Sequence, residues 1–188
     1  MRNIVFIFLL SIVPQLLPAQ QPGEELLAWS ASRKLTWADY KASPDPNSDA
    51  AATTASYLVF SYSIRNNDIS YRIESKFSKT RSWGLHKTAY ILSHEQGHFD
   101  LAEVYARKPY KKVQEYRFHQ KNYRKDLQKI YKEILDEKEE MQSKYDRETN
   151  HSINKEKQVE WLKKIEKMLE EYKDYADYSS SNTCRKDD

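Results

Sequence analysis

An α+β fold, with strands first and helices after them, is predicted by three features of the sequence. Two runs rich in β-branched and aromatic residues flank a short polar turn, the spacing becomes helical after Gly84, and two further amphipathic stretches fill the C-terminal half. The first run is TTASYLVFSYSI (53–64) and the second is ISYRIESKF (69–77). Between them stand Arg65, Asn66, Asn67 and Asp68, the sequence form of an antiparallel hairpin. Upstream, LTWADY (35–40) reads as a short strand or the entry to a turn. SPDPNSDAA (43–51) carries two prolines and reads as a loop.

Helical spacing begins after Gly84 and runs through LHKTAYILSHEQGHFDLAEVYARK, with Pro109 as its expected stop. A second apolar stripe is spaced mostly by three and four: Val113, Tyr116, Tyr123, Leu127, Ile130, Ile134, Met141 and Tyr145. A third helix is expected after Asn150 and Ser152 as caps. Val159, Trp161, Leu162, Ile165, Met168, Leu169 and Tyr172 lie on its apolar side. Most of 110–175 reads as a helical hairpin with solvated charged faces and no chemistry. The expected architecture is thus a hairpin or small sheet, one central helix and two long amphipathic helices.

The 188 residues suffice for one domain with its own core. Apolar residues make up 39% and charged residues 31%, so the chain can bury surface. The net charge of +3 arises from 31 basic and 28 acidic residues that are not gathered in one block, which argues against nucleic acid as partner. Residues 1–20 read as a signal peptide: Arg2, an apolar run from Ile4 to Leu17, and Ala19 before a polar stretch. That run is shorter than the roughly 20 apolar residues a spanning helix needs. The expectation is therefore cleavage near Ala19 or Gln20, export to the periplasm or beyond, and no stable membrane anchor. A single domain over 21–178 and a disordered polar tail over 179–188 complete the expected organisation. Cys184 is the one cysteine, so no intrachain disulfide can form, and it receives no role.

Within the central helix stands His94-Glu95-Gln96-Gly97-His98. Four residues of helix leave the two imidazoles about 40° apart on one face, with bases about 6 Å apart, near enough to share one ion. Zinc suits such a pair, and Glu95 emerges beside it, placed to take a proton from water. Gly97 costs about 1 kcal/mol relative to Ala inside a helix, which points to a close approach of another group to its backbone. By the same geometry Asp100 and Glu103 project at about 240° and 180° from His94, away from the ion, and read as supporting groups. His86 lies about 12 Å along the axis and is excluded. The remaining candidates for a third ligand are His119 and the cluster Tyr145, Asp146, Glu148 and His151.

YILSHEQGHFDLAEVYARK, together with YDRETNHSINKEKQVEW and LTWADY, resembles the bacterial family catalogued as domain of unknown function 922, regarded as secreted zinc-dependent proteases. The resemblance spans most of the mature chain. Its downstream Tyr-Asp-x-x-Thr-x-His string is matched at Tyr145, Asp146, Thr149 and His151, and the family often has Gly where this chain has Ser152. The resemblance implies His151 as third ligand beside His94 and His98; Asp146 ranks second and His119 third. An unbroken helix from 113 to 145 would span about 50 Å and carry His151 past His98. A kink or an early stop is then required, or His119 becomes the better candidate. The expected function is that of a zinc metallohydrolase with a zincin-like fold, a peptidase acting on a peptide or protein, with Glu95 as base and Tyr145 as a candidate donor to the oxyanion. A non-catalytic zinc-binding exported protein and a helical interaction module are the alternatives.

Overall fold

A computed structural model describes residues 23–65, 68–114, 121–176 and 182–184. The segment read as a signal peptide and His119 lie outside them. In chain order the elements are β1 (Leu26–Ala28), β2 (Ala52–Thr53), β3 (Ser56–Arg65), β4 (Asp68–Ser78), β5 (Trp83–Gly84), α1 (Ala89–Gln114), α2 (Tyr123–Thr149), α3 (Lys155–Glu171) and β6 (Asn182–Cys184). Strands precede helices, apart from the short β6, and the fold is α+β.

The expected hairpin is β3 and β4, antiparallel from Ser56 opposite Phe77 to Arg65 opposite Asp68. Alternation gives it one buried face, on which Leu58, Phe60, Tyr71 and Ile73 pack against Val104, Tyr105 and Tyr110 of α1 and Leu127 and Ile134 of α2. β1 and β6 share the other edge of β4, beside its two ends. β6 falls in the segment read as a polar tail, whose remaining residues lie outside the described set. LTWADY forms a 3-10 turn at Trp37–Asp39, in which Asp39 accepts from the Thr36 amide and hydroxyl.

Pro109 does not stop α1, which continues to Gln114. An internal proline costs about 3 kcal/mol in a helix, but here its neighbours are locked into the core. Tyr105, Ala106 and Tyr110 are buried, and the Tyr110 hydroxyl accepts from the amide of Ile73 at 3.0 Å. Packing outweighs the local preference.

α2 starts at Tyr123 instead of near 113, so its 27 residues span about 40 Å and end at Thr149. It runs antiparallel to α1: Glu137 meets Lys108 and Lys112, Gln142 meets His98, and Asp146 meets His94. Asn150 closes α2 in the left-handed region (φ 47°), and His151 and Ser152 follow with φ of 50° and 71°. Three consecutive non-glycine residues in that region cost about 1–2 kcal/mol each. The cap of α3 is Asn154, whose side chain accepts from the Lys157 amide, not Asn150 or Ser152. Trp161 and Ile165 are buried as expected, whereas Val159 turns outward, 51% exposed.

On the face of α1 toward the sheet, Glu103 is fully buried. Its carboxylate accepts from Arg107 Nε at 2.8 Å and from the Ser75 hydroxyl at 2.7 Å, and Arg107 also donates to Leu169 O of α3 at 2.8 Å. Sheet, α1 and α3 thus meet at one ion pair. Removing one partner of a buried pair strands the other charge, at a cost of about 3–5 kcal/mol. Arg107→Met is expected to lower unfolding free energy by about that amount in urea titration, and a change under 1 kcal/mol would contradict this assignment.

Candidate metal centre

α1 places His94 and His98 on one face because they are one turn apart, with rings 4.8 Å apart and nearly perpendicular. Their Nε2 atoms are 3.2 Å from each other, and Asp146 Oδ1 of α2 is 3.2 Å from the first and 3.0 Å from the second. These three atoms form a near-equilateral triangle. Zinc bonds of about 2.0–2.1 Å in tetrahedral geometry require ligand atoms about 3.3 Å apart, so the spacing fits that ion.

Proton placement at His98 supports the fit. Gln142 donates from Nε2 to His98 O at 2.9 Å, which orients the amide so that Oε1 faces His98 Nδ1 at 2.6 Å. An amide oxygen only accepts, so Nδ1 carries the hydrogen, and neutral His98 aims the lone pair of Nε2 at the Asp146 carboxylate. That arrangement is repulsive until a proton or a metal cation sits between the atoms. The electrostatics agree. Burial favours the neutral imidazole, yet the bond to Asp146 and the negative charges of Glu95 and Asp146 raise the pKa of His98. Burial likewise works against ionised Asp146, but the hydrogen bonds and charges of His94 and His98 hold its carboxyl far below the usual carboxylate range. The centre favours positive charge. His98 is oriented through its other ring nitrogen, as metal-bound imidazoles usually are.

Glu95 is 4% exposed, lies on the wall of the same cleft, and has one buried carboxylate oxygen, Oε2, without a hydrogen-bond partner. His94 Nδ1 is a second such atom. A buried polar atom left without a partner is costly, and its retention calls for a reason. The cleft measures about 430 Å³ and runs between the segment 50–57, the helix faces bearing His94 and Asp146, and the loop carrying His151.

Gly97 has the close neighbour its position predicted. A β-carbon there would lie 2.6 Å from the Tyr145 hydroxyl and 3.0 Å from two of its ring carbons. Tyr145 is fully buried and stacks on His94 at 4.5 Å. Its hydroxyl donates to His94 O at 3.3 Å, and burial holds its pKa far above the ordinary value. It braces His94 from behind. Its hydroxyl is turned to His94 O, and it is not among the residues that line the cleft.

Asp100 and Glu103 point away from the centre as expected. Asp100 accepts from Trp29, Gln96 and Lys34, and Glu103 belongs to the pair with Arg107. His86 lies in the turn before α1. The carboxylate oxygen that meets both imidazole nitrogens is that of Asp146. His151 stands beyond the end of α2, 72% exposed, with Nδ1 3.7 Å from Asp146 Oδ1. The reason is register: positions 142 and 146 share the α2 face that meets His98 and His94, and the helix has ended before 151. Sequence reading missed Gln142, although its four-residue spacing from Asp146 repeats that of the two histidines.

A double-mutant cycle tests the Gly97–Tyr145 contact. On an open helix face Gly97→Ala would stabilise, whereas here it is expected to cost about 1–3 kcal/mol, with part recovered in combination with Tyr145→Phe. A stabilised Gly97→Ala in thermal unfolding would contradict the contact.

No curated protein and no solved structure matches the chain. A family model does match, over residues 18–152, a stretch that contains the hairpin, α1, α2, His94, His98 and Asp146. The chain therefore belongs to the family described as bacterial protein of unknown function (DUF922).

Proposed function

We propose that this protein is a zinc-dependent hydrolase of peptide bonds, with His94, His98 and Asp146 holding the ion and Glu95 acting as base. The observation that carries the reading is the partnerless, buried carboxylate oxygen of Glu95 in the same open cleft as a triangle of ligand atoms of zinc dimensions. Two imidazoles and one carboxylate make three protein ligands. Structural zinc sites usually close with four, whereas catalytic sites keep one position for water or substrate. A zinc ion in this place would supply Lewis acidity, polarising a carbonyl and making water easier to deprotonate.

The remaining steps belong to the chain. Glu95 accepts a proton from water at its unpaired carboxylate oxygen as the water oxygen bonds to the carbonyl carbon. It returns that proton to the amine nitrogen as the carbon–nitrogen bond breaks, so the carboxylate is regenerated and no covalent intermediate forms. Gln142 keeps His98 aimed, and Tyr145 keeps His94 from retreating. An extended peptide as substrate is supported by the wall of the cleft, which residues 50–57 line and which includes β2, paired on one side with β5. The zincin-like character of the fold and export after signal-peptide cleavage are parts of the same reading. No helix among the described residues is long and apolar enough to cross a membrane.

Elemental mass spectrometry after dialysis against trace zinc, coupled to a peptide-library assay, tests it. About one zinc per chain is expected, with loss in His98→Ala and Asp146→Ala, and retention in Glu95→Gln with kcat/KM down about 10²–10⁴-fold. Free zinc at a hundred times its Kd is expected to stabilise wild type by about 2.7 kcal/mol. Zinc binding without any peptide cleavage, or Glu95→Gln as active as wild type, would replace the enzyme with a non-catalytic zinc protein.

A further inference from the structure

Resting on that reading of the site, we infer that His151 is a catalytic residue that donates an N–H hydrogen bond to the substrate oxygen as it becomes negative, and is not a metal ligand.

The transition state of amide hydrolysis puts negative charge on the former carbonyl oxygen, and a site built for it needs a donor on the open side of the cleft. Among the side chains that line the cleft, few carry N–H. Both ends of the Gln142 amide are engaged with His98. Lys138 lies eight residues before Asp146, about 12 Å along α2, and is held by Glu139 at 2.7 Å and by Ser56 O at 3.4 Å. Arg81 lies over the Tyr57 ring, 5.8 Å from its centroid. His94 and His98 face the ion. His151 lines the same cleft, and its Nδ1 is 3.7 Å from Asp146 Oδ1, beside the ligand triangle but outside it.

The backbone around His151 is held in place. Asn150, His151 and Ser152 all sit in the left-handed region, and strain of this kind persists only where its surroundings fix it. Here His151 N donates to Asp146 O at 2.9 Å and Asn154 N to Thr149 O at 2.8 Å, while the Tyr90 hydroxyl donates to Ser152 O at 2.6 Å. Tyr90 is one turn before His94. Gln158 of α3 secures that turn in its place, donating to Tyr90 O and to the Ser93 hydroxyl. The loop that bears His151 is therefore tied to the helix that bears the ligands, while the imidazole itself stays exposed at 72% and free to meet a substrate. Tyr90 is the positioning residue of this pair. His151 keeps its proton throughout, and the bond changes remain those assigned to water, Glu95 and the amide.

The test uses zinc-loaded wild type, His151→Ala, His151→Gln and Tyr90→Phe. A fluorogenic peptide cleaved by wild type reports kcat and KM, a phosphonate analogue of it reports binding by calorimetry, and chelator competition reports zinc affinity. His151→Ala is expected to keep zinc within about threefold in affinity and KM, to lose about 10²–10³-fold in kcat, and to bind the phosphonate correspondingly more weakly. His151→Gln, which retains an N–H donor, is expected to recover part of both losses. Tyr90→Phe is expected to keep zinc and lose kcat by a smaller factor. Loss of zinc from His151→Ala would make His151 a ligand and overturn the inference, and so would unchanged kcat and phosphonate affinity. A wild type that holds no zinc or cleaves no peptide would bring down the hydrolase reading and this inference with it. Neutrality of His151→Ala in an active wild type would sink the inference alone.

Discussion

Because Gly97 has no β-carbon, the ring of Tyr145 lies directly against α1, and the geometry of the site follows from that contact. Tyr145 and Asp146 are adjacent on α2. Once the phenol is seated under Gly97 with its hydroxyl on His94 O, the next side chain arrives at the imidazoles of His94 and His98. One turn back, Gln142 arrives at His98 Nδ1. The antiparallel run of α2 along α1 therefore delivers an orienting amide and a carboxylate at the spacing that the two histidines present. A β-carbon at 97 would push Tyr145 outward and carry Asp146 with it.

α1 serves two environments on different faces. Toward the cleft it presents His94, Glu95 and His98, where polar atoms lack protein partners and positive charge is favoured. Away from it, Gln96, Asp100, Glu103 and Arg107 are engaged by Trp29, Leu35, Ser75 and each other. Burying a carboxylate is expensive in either place. On the structural faces the chain supplies its own partners. At the centre it leaves Glu95 Oε2 without one.

Much of this was legible in the sequence, for reasons that are local. The hairpin follows from alternation around a polar turn, α1 from helical spacing, and the His94, Glu95, His98 face from the 3.6-residue period. The cost of glycine within a helix pointed to a close neighbour at Gly97, although not to which residue it would be. What escaped depends on tertiary packing. Pro109 reads as a stop, yet Tyr105 and Tyr110 bury on either side of it and the helix continues. Asp146 and His151, with His119 outside the described residues, were candidates for the third ligand. Which of them stands beside the histidines depends on the register of α2 on α1 and on the point where α2 ends, neither of which composition or spacing encodes. Asn150 and Ser152 read as caps for α3, whereas the chain uses them in the left-handed turn and caps with Asn154.

Zinc K-edge X-ray absorption on the metal-loaded protein, wild type beside Asp146→Ala, examines the proposed coordination directly. The expected spectrum of wild type has two imidazole nitrogens and a carboxylate oxygen among scatterers at about 2.0–2.2 Å, and the carboxylate contribution disappears in Asp146→Ala. A third imidazole in wild type, or a coordination shell unchanged by Asp146→Ala, would contradict the centre of His94, His98 and Asp146.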